Sequence, residues 1–259
     1  MIGALYVVGP AGTGKSTFSG SLNEWLKRME FDSAIINLDP GADYLPYEPD
    51  FDIREYISLD SIMSDYNLGP NGSQIVAADM IVSYTDKITE FLEDLDDYYV
   101  VVDTPGQIEL FTFRTSSTEI VEKVSGQRSM MAYIADAPLA TYPSGFIAQK
   151  MLYASVFSRF FRPMMFVLNK IDLVSDEDIQ EVKKWESSPD LLNDAFMEEK
   201  GQMEKDYFVG ILQAFKESNI MTKIYPVSSR DSFGFEDIYS QMALYFTGGE
   251  DNDTYREEG

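Results

Sequence analysis

Short runs of apolar residues alternate along the chain with longer segments in which apolar residues recur every three or four positions. Continuous runs rich in Val, Ile and Met are typical of parallel strands covered on both faces, and the wider spacing is typical of amphipathic helices. Strands are therefore predicted at residues 2–8, 33–38, 98–103, 130–135, 164–168 and 223–227. Helices are predicted at residues 14–29, 144–161 and 235–246.

This alternation predicts an α/β fold with a doubly wound, mostly parallel sheet. Two segments are too long for simple crossovers and are predicted to be helical insertions, at about residues 43–97 and 175–219. The first contains the turn-rich Gly69–Gly72 between two predicted helices, and a Ser-Ser-Pro sequence is expected to break the second. We predict one domain over residues 1–247 and an acidic flexible tail over residues 248–259.

Composition narrows the chemistry that this fold can carry. The chain has 20 basic and 44 acidic residues, a net charge of −24, so we expect no direct nucleic-acid partner and no membrane partner. It has no Cys and no His, which excludes disulfides, zinc–thiolate sites and Ser-His-Asp triads. Any metal should be a hard, oxygen-bound cation, with Mg²⁺ first. No basic leader and no long uncharged stretch are present, so a cytoplasmic protein is expected.

A phosphate-binding loop is predicted where the first strand meets the first helix. The segment from Gly9 to Ser16 fits Gly-x-x-x-x-Gly-Lys-Ser, in the strand-to-helix context that this pattern requires. Its backbone amides and the helix N-terminus favour a phosphate, Lys15 would reach the β- and γ-phosphates, and the Ser16 hydroxyl would ligate Mg²⁺. The alternative is a Gly-rich turn without a ligand. The predicted binding residues of this loop are Gly12, Thr13, Gly14, Lys15, Ser16 and Thr17.

Two further carboxylates end predicted strands. Asp103 ends a strongly apolar strand and is followed by Gly106 and Gln107, which predicts a magnesium-shell carboxylate and an amide that senses a γ-phosphate. Asp39 ends the second strand and should face the same cleft, because ligands lie outside the carboxyl ends of parallel strands. The metal site is therefore predicted at Ser16, Asp39 and Asp103. Each aspartate could instead be a simple turn residue.

A guanine site is predicted after the fifth predicted strand, in the sequence Asn169-Lys170-Ile-Asp172. The Asp172 carboxylate only accepts hydrogen bonds, whereas guanine offers two adjacent donors and adenine offers an acceptor. Asn169 can bridge to the base and to the phosphate loop, and Lys170 can lay its stem along the ring. After the next strand, a backbone amide of Ser228-Ser229-Arg230 could donate to the guanine O6.

Together with Gly69-Pro70-Asn71, these motifs resemble those of the GPN-loop GTPases, P-loop GTPases of the dimerising class. Ser229-Arg230 departs from the commoner Ala-Lys of the guanine pattern, which a backbone contact should survive. The resemblance, to minimal archaeal-type members, covers nearly the whole chain. It includes residues 38–43, 45–49, 52–55, 68–72 and 103–109.

The resemblance implies a homodimer with facing nucleotide sites, in which the Gly-Pro-Asn loop of one subunit reaches the γ-phosphate site of the other. Asn71 would then act in trans on the attacking water. Glu109 would help to position that water, although it could instead form a salt bridge with Arg114. Eukaryotic members of the family that this chain resembles are linked to RNA polymerase assembly, so a protein client is expected by analogy only. The predicted catalytic residues are Lys15, Asp39, Asn71, Gln107 and Glu109.

These observations predict a Mg²⁺-dependent P-loop protein that binds GTP and hydrolyses it to GDP and phosphate, with an assembly or molecular-switch role. One alternative is a slow-turnover, GTP-gated scaffold or chaperone for a protein client. Another is a kinase that acts on a small hydroxyl, which the guanine motif and Gln107 argue against.

Overall fold

A parallel sheet forms the centre of the computed structural model, which describes residues 1–199, 210–211, 213–214, 217 and 223–248. The seven strands of this sheet are ordered β3-β2-β4-β1-β5-β6-β7, and each paired neighbour runs parallel. All six predicted strands are confirmed, with ends that shift by at most one residue. The strands are β1 Gly3–Val8, β2 Ser33–Asn37, β3 Phe51–Asp52, β4 Tyr99–Asp103, β5 Ser129–Asp136, β6 Met164–Asn169 and β7 Ile224–Val227.

Helices connect the strands and cover both faces of the sheet. The three predicted helices are confirmed as α1, α8 and α11, with ends within one residue of those predicted. The described helices are α1 Lys15–Arg28, α2 Leu59–Tyr66, α3 Pro70–Met80, α4 Thr85–Glu93, α5 Ile108–Phe111, α6 Thr115–Val124, α7 Ala137–Ala140, α8 Pro143–Phe160, α9 Asp176–Ser187, α10 Pro189–Glu199 and α11 Phe235–Phe246. None of them is both long and apolar enough to cross a bilayer.

The two faces of the sheet carry separate apolar cores, because successive residues of a strand point to opposite faces. On β1, Leu5 and Val7 pack with residues of α1 and α11 on one face. The alternate residues Ala4, Tyr6 and Val8 pack with residues of α6, α8 and the two insertions on the other face. The sheet is therefore buried on both sides, which leaves its strand ends as the place for a ligand.

The first insertion contains β3, α2, α3 and α4. Within it, the conformation of Gly69–Gly72 differs from the predicted one. These residues were expected to form a loop between two helices. Instead, Gly69 is the N-cap of α3 and Pro70 is its first residue. The physical reason is that proline suits the first helical position, where its fixed φ is already helical and its missing N–H would have no intrahelical partner.

The second insertion begins with α9 and α10, and the expected break falls between Ser187 and Pro189. Ser175 caps α9, where its side chain and that of Asp178 bond reciprocally to backbone amides. Most of the remaining insertion, and the predicted tail beyond Gly248, lie outside the described residues.

Candidate nucleotide-binding site

The predicted site residues meet at one edge of the sheet because the strands are parallel and in register. Val7 at the end of β1 pairs with Asp103 of β4, which also pairs with Asn37 of β2. On the other side of β1, Asp136 of β5 pairs with Asn169 of β6. The phosphate loop follows β1 in the middle of this edge, so it lies between the carboxylate side and the predicted base side.

Two glycines of the phosphate loop lie where another residue would not fit. Gly9 has φ +149°, and an added Cβ would lie 2.6 Å from the carbonyl oxygen of Ile134. Gly14 has φ +91° at the N-cap of α1, and an added Cβ would lie 2.7 Å from Nδ2 of Asn169. The loop therefore has the conformation that directs backbone amides towards a phosphate at a helix N-terminus.

Lys15 links the phosphate loop to the segment after β4. Its Nζ donates hydrogen bonds to the carbonyl oxygens of Gly9 at 3.0 Å, Pro10 at 2.9 Å and Gly106 at 2.6 Å. Burial lowers the pKa of Lys15 to about 8, against the attraction of Asp103 and Asp39. A phosphate at this site would offer the ammonium a stronger, charged partner than these carbonyl groups.

Asp39 contacts Gly106, the same residue whose carbonyl oxygen accepts from Lys15. Its Oδ2 accepts from the Gly106 amide at 2.8 Å, and its Oδ1 accepts from the Gly41 amide at 2.9 Å. Burial raises the pKa of Asp39, against these hydrogen bonds and the Lys15 ammonium. The Gly106 amide, expected to contact a γ-phosphate, thus donates to Asp39 in this conformation, and contact with a phosphate would require its release.

Asp103 is fully buried beside Ser16 and Tyr47. The Tyr47 hydroxyl donates to its Oδ2 at 2.8 Å. Its Oδ1 has no hydrogen-bond partner of normal geometry, although the Ser16 hydroxyl is close enough to lower the pKa of the carboxyl. Burial nevertheless raises that pKa to about 6. An orphaned carboxylate oxygen beside a serine hydroxyl fits the oxygen ligands that Mg²⁺ prefers.

No cluster of three or more acidic side chains that could cage a metal occurs in the described part of the chain. The fit to Mg²⁺ therefore depends on the combination of Ser16, Asp103 and Asp39 with phosphate oxygens and water, which is how Mg²⁺ is usually held at nucleotide sites.

Asn169 joins three parts of the base side. Its Nδ2 donates to the Thr13 carbonyl oxygen at 2.9 Å, and its Oδ1 accepts from the backbone amide of Ser229 at 3.2 Å and from its hydroxyl at 2.7 Å. Asn169 is 1% exposed, so these bonds are protected from water. The bridge from Asn169 to the phosphate loop is confirmed, whereas the Ser229 amide already donates within the protein.

Lys170 and Asp172 project from the turn after β6. Lys170 adopts the left-handed conformation, with φ 65°, and its Nζ donates to the Gly12 carbonyl oxygen at 2.6 Å and pairs with Asp136 at 2.7 Å. Asp172 is exposed, and its Oδ1 accepts from the Ser228 hydroxyl at 3.0 Å. Its other oxygen remains available for a base. Arg230 is exposed.

The other predicted catalytic side chains lie at the surface. Asn71 is exposed at the start of α3, and Glu109 is exposed at the start of α5. The side-chain amide of Gln107 donates to Oε1 of Gln74 at 3.3 Å. Gln74 lies in α3, about one turn after Asn71. The alternative pairing of Glu109 with Arg114 is wrong, because Arg114 forms a two-point ion pair with Asp79.

Four side chains at the site had no side-chain role in the sequence prediction, although Ser228 belonged to the segment expected to offer an amide to guanine. Ser228 and Asp136 had a usable signal, since each lies at the carboxyl end of a predicted strand or directly after it. Tyr47 and Gln74 belong to the first insertion and reach the site only through tertiary contacts, at separations of 56 and 33 residues from their partners. No spacing pattern in the sequence indicates those two contacts.

The fold and the residues at the carboxyl edge of the sheet identify the chain as a P-loop NTPase. It has a parallel sheet, a phosphate loop between β1 and α1, and a carboxylate at the end of β4. A family model described as "Conserved hypothetical ATP binding protein" matches residues 7–246. The GPN-loop GTPase of Pyrococcus abyssi is 30% identical over 241 residues, covering 89% of this chain and 92% of its own. The chain belongs to the GPN-loop GTPase family.

Other similar proteins agree with this assignment. GPN-loop GTPase 3 of Kluyveromyces lactis is 35% identical over 198 residues, which is 74% of this chain and 73% of that protein. GPN-loop GTPase 1 of Dictyostelium discoideum is 30% identical over 93% of this chain, but the chain spans only 60% of its length. The crystal structure of a GTPase in apo form from Pyrococcus abyssi has a TM-score of 0.83 and 26% identity, covering 95% of this chain and 98% of that one.

Proposed function

We propose that this protein is a GTPase, which binds GTP and hydrolyses it to GDP and phosphate. The observation that carries the proposal is the connection of Asn169 to both the phosphate loop and the segment after β7, with the acceptor Asp172 exposed beside it. A carboxylate there pairs with the two donors of guanine and is mismatched to adenine. The base chemistry therefore favours GTP, despite the mention of ATP in the family description.

The phosphate side supplies the hydrolytic chemistry. The amides of residues 12–17 and the Lys15 ammonium would bind the β- and γ-phosphates, and Ser16 would hold Mg²⁺ with Asp39 and Asp103 in its outer shell. Bound Mg²⁺ would neutralise charge on the phosphate oxygens. Lys15 would exchange its carbonyl partners for phosphate oxygens and would stabilise the charge that develops on them.

We propose that the working form is a homodimer, in which Asn71 of one subunit acts at the γ-phosphate site of the other. The exposure of Gly69, Pro70 and Asn71 at the N-terminus of α3 supports this, since that end is open to a partner. The first turn of a helix is also a rigid support for a catalytic side chain. Gln107, Glu109 and the in-trans Asn71 would position the attacking water.

The biological role we propose is a cytoplasmic molecular switch that acts in the assembly of a protein client. The support is the pair of bonds on Gly106, to Asp39 and to Lys15, because a γ-phosphate would compete for both. The nucleotide would thereby select between two arrangements of the segment after β4.

The test uses the matched variant Asp172→Asn, which preserves the shape of the side chain. Calorimetry on the wild type should give GTP and GDP binding with ATP far weaker, and phosphate-release assays should give hydrolysis. In the variant, the added donor should weaken guanine and favour xanthine nucleotides, whose 2-oxo group accepts a hydrogen bond. Equal affinity of the wild type for GTP and ATP would refute the base assignment, and transfer of the phosphate to anything but water would revive the kinase alternative.

A further inference from the structure

Tyr47 contacts the most deeply buried carboxylate of the nucleotide site. Its hydroxyl donates to Oδ2 of Asp103 at 2.8 Å, across 56 residues of sequence. The residue precedes β3 in the first insertion, so this contact ties the insertion to the end of β4. None of the roles assigned above to the phosphate, metal or base residues accounts for it.

The tyrosine ring is held in place by its packing against α1. A Cβ added at Gly20 would lie 3.0 Å from both Cβ and Cδ1 of Tyr47, so the absence of a side chain at Gly20 makes room for the ring. The ring also packs against the core on that face of the sheet. Because the ring is fixed, its hydroxyl is a fixed donor and not a mobile surface group.

Because of this contact, one carboxylate oxygen of Asp103 is hydrogen-bonded and the other is not. Oδ2 accepts a hydrogen bond from the tyrosine hydroxyl, whereas Oδ1 is buried and has no hydrogen-bond partner of normal geometry. The Ser16 hydroxyl lies near the same carboxylate group. The terminal torsion of a carboxylate is broad, so a hydrogen bond to one of its oxygens narrows the orientations that the group can adopt. The Lys15 ammonium attracts the same carboxylate, so the tyrosine hydroxyl is one of several groups that act on it.

We propose that Tyr47 is a positioning residue for the metal site: its hydroxyl holds Asp103 by Oδ2 and so reserves Oδ1 for Mg²⁺ or for a water of its shell. This inference rests on the proposed Mg²⁺-dependent GTPase function and deepens it. Hydrogen-bonded partners that orient metal-shell carboxylates commonly change metal affinity by roughly 10–100-fold when they are removed.

The experiment measures nucleotide affinity by fluorescence or calorimetry, with Mg²⁺ and with a chelator, and then titrates Mg²⁺ at fixed GDP. Tyr47→Phe keeps the ring and removes only the hydroxyl. We expect GDP affinity in chelator to match that of the wild type, and the Mg²⁺ midpoint to rise by about 10-fold or more. Tyr6→Phe is the matched control, because it removes another buried tyrosine hydroxyl, bonded to Ser125 at 3.0 Å, and should leave the midpoint unchanged.

An unchanged Mg²⁺ midpoint in folded Tyr47→Phe would overturn the inference, and so would an equal loss of GDP affinity with and without Mg²⁺, which indicates general damage. A wild type whose nucleotide affinity ignores Mg²⁺ would instead refute the metal part of the proposed function, before any variant is compared. If Tyr47→Phe fails to fold, Gly20→Ala provides the test, because the added methyl group displaces the Tyr47 ring. This variant should also raise the Mg²⁺ midpoint, and an unchanged midpoint would overturn the inference.

Discussion

Replacing Asn169 with alanine should destabilise the nucleotide-free protein, and not only abolish GTP binding. The side chain makes three hydrogen bonds, to the Thr13 carbonyl and to the amide and hydroxyl of Ser229, and it is 1% exposed. The truncation leaves two buried backbone groups without partners, while the Ser229 hydroxyl can rotate to find another.

The magnitude follows from those two orphaned groups. A buried backbone group that loses its partner costs about 1–3 kcal/mol, so the expected loss is about 2–6 kcal/mol. Domains are typically stable by about 5–15 kcal/mol, which makes this loss a large fraction of the total. Asn169 is therefore expected to stabilise the phosphate loop before any nucleotide arrives.

Urea unfolding of the nucleotide-free protein, followed by circular dichroism, measures the loss directly. The control is Asp172→Asn, in which an exposed side chain keeps an acceptor for the Ser228 hydroxyl and should change stability by less than about 0.5 kcal/mol. A loss below about 1 kcal/mol for Asn169→Ala, with an unchanged denaturant slope, would refute the reasoning.

Two further predictions concern the surface and the core. Asn71→Ala should keep the wild-type stability and GDP affinity, because the side chain is exposed, but should slow GTP turnover by about 10-fold or more, measured as phosphate release; an unchanged rate would exclude the in-trans role. Lys150 is fully buried against the Phe166 ring, with its Nζ 4.0 Å from the ring centroid, and burial lowers its pKa from 10.5 to about 7. Between these two pH values Lys150 is protonated in the unfolded chain and neutral in the folded protein, so the free energy of unfolding should rise with pH. The rise should be at most about 5 kcal/mol, and the cation–π attraction of the charged form reduces it. Lys150→Met should flatten that part of the pH–stability curve, as measured by urea unfolding at pH 7, 8 and 9, and an identical slope in the two proteins would contradict this.

The sheet and the order of its site residues could be predicted because both depend on local patterns. Residues 99–102 are apolar throughout, and the polar Asp103 that ends this parallel strand must lie at the ligand edge. The two-residue β3 escaped prediction because Phe51–Asp52 is too short to show any period. Pro70 was ambiguous for a different reason, since proline favours both turns and the first position of a helix.

Side-chain partners were harder to predict than strands. Arg114 lies five residues from Glu109 along the chain and pairs instead with Asp79, which α3 brings beside it from 35 residues away. The Tyr47–Asp103 contact likewise depends on how the first insertion folds back over α1. Tertiary packing determines which side chains pair, so the nearest opposite charge in the sequence often does not predict an ion-pair partner.

Helix α3 carries Asn71 at its first turn and Gln74 at its next, and Gln74 bonds to Gln107 of its own subunit. In the proposed dimer, this helix would thus contact both the partner's γ-phosphate site and the segment after β4 of its own subunit. Thermodynamic linkage requires that the coupling free energy between the two sites be the same whichever site is filled first. GTP binding should accordingly be cooperative between the two sites, and Gln74→Ala should bring the Hill coefficient towards one.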